Sequence, residues 1–233
     1  MFNGKMKALT FSFDDGVKQD RRLIEILDKY GLKATFNINT SLLSRRNPIT
    51  NHEGITVPHD KVAIHEVKEL YKNHEVAVHT LTHPRLPDIE EDETVLYEVD
   101  EDRKNIEALT DCDVVGMAYP CGGVNNDERV AKLIGENTPI KYARTITSTF
   151  SFEPQENLLQ FNPTVHWLQW GKMFELAEKF LEMKPETPQI YYIWGHSYEL
   201  DFHPEWWEEF EKFCALVSGR DDIFYGTNRE VLL

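Results

Sequence analysis

The order of apolar runs along the chain predicts a single α/β domain built on a largely parallel sheet. Two observations carry that expectation. Short apolar runs of strand length alternate with stretches whose apolar residues recur every three or four positions, the period of a helix packed on one face. No internal repeat, low-complexity tract or Gly/Ser linker interrupts the 233 residues, and one α/β unit of roughly 200–250 residues fills that length. Periodicity by itself leaves both a closed barrel and an open doubly wound sheet in play.

Residues 6–13 read as the first strand and 33–39 as the second. Between them the spacing predicts a helix over 20–30, with Leu23, Ile24, Leu27 and Tyr30 on one face and Gly31 ending it. From about 41 to 63, punctuated by Pro48, Gly54 and Pro58, no period is visible. A loop that long in a compact domain usually serves function or moves, so this stretch is a candidate rim of a substrate cleft. A strand over 75–78 precedes a helix over about 90–109, with Val95, Leu96, Val99, Ile106 and Leu109 inward. The acidic run Glu90-Glu91-Asp92-Glu93 opens that helix, where negative charge suits the dipole. Further strands fit 114–118, 141–146, 189–194 and 222–225, and further helices 126–136, 170–183 and 204–217. Trp206, Trp207, Phe210, Cys214 and Val217 form the core stripe of the last helix.

Hydrophobic residues make up 41% and aromatics 12%, ample for a core, and no run approaches the roughly 18 apolar residues of a membrane span. The opening Met1-Phe2-Asn3-Gly4-Lys5-Met6 has no apolar leader pattern, and Cys112, Cys121 and Cys214 form no paired framework. Buried reduced thiols and a cytoplasmic location are therefore expected. Net charge is -15, from 40 acidic against 25 basic residues. Such a surface argues against nucleic acid or an anionic membrane as partner and accommodates a neutral or cationic substrate more easily. Oligomeric state is not encoded in any feature of the sequence.

Chemistry concentrates where strands end. Thr10-Phe11-Ser12-Phe13 runs into Asp14-Asp15-Gly16, and Glu75-Val76-Ala77-Val78 runs into His79-Thr80-Leu81-Thr82-His83. In parallel α/β sheets the strand ends face the catalytic loops. One Asp and two His form a three-ligand set that leaves positions open for water and substrate. Taken singly, Asp-Gly is a common turn and His-x-x-x-His a common helical spacing; together, each after a strand, they point to a metal site. Nitrogen and oxygen donors suit Zn²⁺, with Co²⁺, Ni²⁺ and Mn²⁺ compatible.

These segments resemble the first two motifs of the polysaccharide deacetylase family, also called NodB-homology or carbohydrate esterase family 4. The similarity runs from about residue 6 to about residue 200, and residues 1–233 are taken as one such domain. The resemblance implies an irregular (β/α)7-type barrel and a divalent-metal hydrolase acting on acetylated sugars or oligosaccharides. It implies Asp14 as general base, with Asp15, His79 and His83 as metal ligands. Trp194-Gly195-His196-Ser197 resembles the family's late motif and makes His196 the general acid. Tyr119-Pro120-Cys121-Gly122 resembles the loop whose backbone N–H after the proline receives the oxyanion, here that of Cys121, with Tyr119 facing substrate. The family's usual Arg in that segment is replaced by Ala118, as a known variant with a Tyr-Pro-x-Gly loop allows. Arg144, in Tyr142-Ala143-Arg144-Thr145, is expected to reach Asp14 in its place.

The family's fourth motif, an Asp segment that tunes the catalytic His, is missing between 145 and 170. His166 and Trp167 fall in that region and are candidate substrate contacts, with Trp170 as a further stacking ring. Glu199 lies three residues after His196 and could hydrogen-bond it, which spacing alone does not decide. His52, His59, His65, His74 and His203 have no partnered spacing and are expected to face solvent. The competing functions are hydrolysis of a non-sugar C–N bond, such as a cyclic amide or ureide, and sugar binding by a catalytically relict site.

Overall fold

The computed structural model describes residues 2–233. In chain order its regular elements are β1 (Lys7–Asp14), α1 (Asp20–Lys29), β2 (Ala34–Ile38), β3 (Pro48–Thr50), β4 (Thr56–Pro58), α2 (Val67–Leu70) and β5 (Glu75–Val78). There follow α3 (Asp92–Thr110), β6 (Gly116–Ala118), α4 (Glu128–Asn137), β7 (Tyr142–Arg144), β8 (Val165–His166) and α5 (Trp170–Glu182). The chain closes with β9 (Gln189–Gly195), α6 (Glu205–Val217), β10 (Ile223–Tyr225) and α7 (Asn228–Leu232).

Eight strands form one parallel sheet in the order β7-β6-β5-β2-β1-β9-β8, with β10 joining β1 off that path. The sheet curls into a half-barrel flanked by the helices, a single-domain (β/α)7-type fold. Every residue of β1 is buried, as expected of a central parallel strand covered on both faces. Its early residues pair with β10 and its late ones with β2, so two short strands share one edge. Phe11 and Phe13 pack on Phe210 of α6, and Leu23 and Leu27 of α1 join the same core. No helix among the described residues is long and apolar enough to cross a membrane.

The apolar patterns located most elements within a few residues; β3, β4, α2, β8 and α7 escaped them. The stretch 41–63 contains the β3–β4 hairpin, and its inner end is laddered, with Lys61 N donating to Arg45 O at 2.9 Å and His59 N to Asn47 O at 2.7 Å. Strands β3 and β4 are too short and too exposed to show alternation. Of the thiols only Cys214 is buried; Cys112 is exposed, and all three are free.

Candidate active site

Register brings the chemistry together. Phe13 pairs with Gly195, so Asp14 at the end of β1 lies beside His196 after β9. Val78 pairs with Met117 and Ala118 with Arg144, which lines up His79, Ala118 and Arg144 along the same rim. Curvature does the rest. Although β6, β5 and β2 separate β7 from β1 in the sheet, Arg144 Nη2 hydrogen-bonds Asp14 Oδ2 across the half-barrel, with both side chains buried. The guanidinium carbon lies 4.3 Å from the Trp194 ring centroid, and Nη1 donates to Thr145 O at 3.1 Å. Asn37 Nδ2 donates to the other oxygen of Asp14 at 2.8 Å. Burial pushes the Asp14 carboxyl up, but Arg144, His79 and His196 outweigh it and hold it below the ordinary range.

Asp15, His79 and His83 converge beside it. Asp15 Oδ1 lies 3.7 Å from His83 Nε2 and 4.0 Å from His79 Nε2. Donors about 2.1 Å from a tetrahedral ion stand roughly 3.4 Å apart, so a small closure suffices to hold one. His79 Nδ1 faces Ala118 O at 2.9 Å; donating there leaves the Nε2 lone pair aimed at Asp15. Burial holds His79 down to about 4, a neutral ring ready to ligate. Asp15 remains ionised because Lys61 and a His59 hydrogen bond overcome its burial. The residues present fit a divalent cation.

The loop bearing the histidines is anchored from α3, whose apolar stripe is interrupted by two buried acids. Asp102 accepts from Thr40 N and Thr40 Oγ1, both at 2.7 Å, and from His79 N at 3.2 Å. Glu98 accepts from Thr82 N at 2.8 Å and Thr82 Oγ1 at 2.7 Å. Backbone strain collects at the same place: Asp15, Thr80, His83 and Cys121 all have positive φ (84°, 65°, 66° and 69°). Such conformations cost of order 1–3 kcal/mol and persist where surroundings enforce them, commonly at functional sites. Gly16 completes the turn, since a Cβ there would come 2.8 Å from Ile38 Cγ2.

His196 Nδ1 lies 3.3 Å from Glu199 Oε1, and its Nε2 lies 4.0 Å from Asp14 Oδ2. Burial lowers the His196 pKa, yet Glu199 and the two aspartates raise it to about 9. Trp167 Nε1 donates to Glu199 Oε2 at 2.5 Å, and His166 Nε2 sits 3.6 Å from that oxygen. Glu199 itself stays ionised, held down to about 2 despite its burial.

A cleft of about 690 Å³ opens over these groups, lined by Asp14, Asp15, His79, His83, Tyr119, Cys121 and His196 and by Arg45, Arg46, His59 and Lys61 of the hairpin stretch. Among the described residues nothing accepts the Cys121 N–H. Burial raises the Cys121 thiol, leaving it protonated and a poor nucleophile. Tyr119 lines the cleft, and its hydroxyl is committed to Leu159 O at 2.8 Å.

Several expectations are corrected. Trp167 is fully buried against Phe13 and Phe210, so it cannot stack on a sugar; only its indole N–H serves the site. His166 packs on Trp194, 4.5 Å between centroids, and is not part of the cleft wall. Trp170 packs on Trp167 and Trp206. His59 does not face solvent: its Nε2 meets Asp15 Oδ2 at 3.1 Å. His74 is buried under Phe36, and His203 meets Glu53 at 2.9 Å. Sequence reasoning missed Lys61 altogether, whose Nζ donates to Asp15 O at 2.8 Å. Asp102 and Glu98 had a signal, acids spaced four apart on an apolar helix face.

The family model described as polysaccharide deacetylase matches residues 3–138. No curated protein matches the chain. Among solved structures, a CE4 family pseudoenzyme from Bacillus anthracis is 19% identical, with a TM-score of 0.57 over 100% of this chain and 67% of that one. A mutant of that pseudoenzyme with restored enzymatic activity is 18% identical, with a TM-score of 0.59 over 97% and 68%. The peptidoglycan deacetylase PdaC from Bacillus subtilis is 13% identical, with a TM-score of 0.53 over 97% and 90%. At these identities the likeness is one of fold.

Proposed function

Since this chain belongs to the polysaccharide deacetylase family, we propose that it is a metal-dependent hydrolase removing acetyl groups from N-acetylated sugars or oligosaccharides. O-acetyl esters are the nearest variant, because the same machinery serves either bond. The observation that carries the reading is the meeting in one cleft of an ionised Asp14, a protonated His196 and the Asp15, His79, His83 donor set. A divalent cation on those donors, with Zn²⁺ the first choice for nitrogen and oxygen ligands, supplies a Lewis acid that polarises the acyl carbonyl and acidifies water.

The protein's own groups move the protons. Asp14, kept anionic chiefly by Arg144 and oriented by Asn37, takes a proton from the attacking water. The oxygen that gains charge is received by the Cys121 N–H, a preorganised donor worth roughly 3–4 kcal/mol at the transition state. His196, held in its cationic form by Glu199, delivers a proton to the departing nitrogen or oxygen. Proton transfers of this kind contribute about 10²–10⁴-fold in rate. Arg144, on Asp14, stands in for the guanidinium that Ala118 lacks and so weighs against one of the two arguments for a relict site, the other being the missing fourth motif.

The test is acetate release from N- and O-acetylated sugars by chelator-stripped protein given Zn²⁺, Co²⁺ or Mn²⁺. Metal-restored release that disappears in Asp14→Asn supports the reading. Zn²⁺ binding with no acetate from any probe would turn attention to cyclic amides and ureides.

A further inference from the structure

Charge on the cleft wall points to the kind of sugar. Arg45 and Arg46 line the mouth and are exposed. Arg21, Arg85, Arg103, Arg129 and Arg144 each lie against a carboxylate. Among the described residues Arg45 and Arg46 have no such partner, although acids outnumber bases 40 to 25 in the chain. Arg22, Arg220 and Arg229 also lack one, with Arg22 lying over the Trp207 ring and Arg229 donating to Asp113 O; Arg45 and Arg46 are the adjacent pair that lines the main cleft.

The backbone that carries them is held in place. Ser44 N donates to Val62 O and Lys61 N to Arg45 O, both at 2.9 Å, so the arginines ride on the backbone ladder that places Lys61 and His59 on Asp15. The two carboxylates of the cleft are already taken, Asp14 by Arg144 and Asp15 by Lys61 and His59. Arg45 and Arg46 are therefore surplus positive charge, and a bound cation adds to it. A uniform charge of -15 favours a neutral or cationic substrate; the cleft reverses that preference locally.

We propose that the substrate is an acylated sugar carrying an anionic oxygen group, a carboxylate or a phosphate, which Arg45 and Arg46 engage while the acyl group reaches Asp14 and His196. This rests on the hydrolase reading and narrows it. Guanidinium forks match both groups in bidentate fashion.

The experiment compares kcat/KM of the metal-loaded protein on N-acetylglucosamine, N-acetylglucosamine 6-phosphate and N-acetylmuramic acid, in wild type and in the Arg45→Ser/Arg46→Ser double variant. An anionic probe should exceed the neutral one by about tenfold or more, and the ratio should collapse to within about threefold in the variant. A preference for the phosphate alone identifies a sugar phosphate, and one for the carboxylate alone an acidic sugar. Equal rates on neutral and anionic probes, or a ratio unchanged in the variant, overturn the proposal. Calorimetry of the same probes on metal-free protein is the second readout. Charge-selective binding lost in the variant, with no turnover under any metal, sinks the hydrolase reading and leaves the anionic site standing. Neither turnover nor charge-selective binding removes both.

Discussion

Replacing Arg144 with Met tests the claim that a guanidinium from β7 sets the charge of Asp14. Both side chains are buried, at 0% and 2% exposure. Removing one partner of such a pair typically costs 3–5 kcal/mol, because the other charge is left without compensation. Asp14 has a partial escape: with its strongest stabilising neighbour gone, burial weighs more and proton uptake by the carboxyl becomes easier. That uptake limits the loss, so we expect about 3 kcal/mol at pH 7, or roughly 6–12 °C in Tm for a domain of this size. Asp14→Asn in the Arg144→Met background then removes the orphaned acid and should restore part of the stability. A double-mutant cycle by thermal unfolding is expected to give a coupling of about 2–3 kcal/mol. Turnover in Arg144→Met should fall about 10²-fold or more at neutral pH, since Asp14 loses the guanidinium that favours its anionic form and orients it as the base. If the two substitutions add within about 0.5 kcal/mol and turnover is unchanged, the pairing argument is wrong.

Three further outcomes follow from the same structure. Glu199→Gln removes the nearest carboxylate holding His196 up at about 9, so the alkaline limb of the pH–rate profile should move down by at least about one unit, with a smaller change in KM. Asp20 receives Ser197 Oγ and Tyr71 Oη at 2.5 and 2.6 Å, yet burial raises it from 3.8 to about 7. A carboxyl raised in the folded state penalises folding progressively from pH 4 to 7, by about 4 kcal/mol at most, and Asp20→Asn should flatten that part of the stability profile in urea titrations. Zn²⁺ at 100-fold its Kd should raise the Tm of stripped protein by roughly 5–10 °C; an equal shift in His79→Ala would deny His79 a place among the ligands.

Much of the fold was readable because its main strands and helices are long enough to show a period. β1, β2, β5 and β9 are apolar runs, and α1 and α6 carry clear stripes. What lacked a period was hidden: three-residue β3 and β4 are exposed, and β8 has two residues. The same boundary runs through the site. Asp14, Asp15, His79, His83 and His196 could be placed on one rim because each lies at the end of an apolar strand or in the loop that leaves it. Trp167 was misread because an indole suits a sugar face and a core equally well, and only packing against Phe13 and Phe210 settles which.

By itself the sequence determined the order of strands and helices and which polar side chains sit at strand ends, since backbone periodicity and the apolar pattern are local properties. The tertiary structure decided which of those groups meet. Closure of the half-barrel carries Arg144 over three intervening strands to Asp14, and the hairpin ladder folds Lys61 and His59 onto Asp15 while leaving Arg45 and Arg46 unpaired. Those contacts depend on sheet curvature and loop path, and no spacing along the chain encodes either.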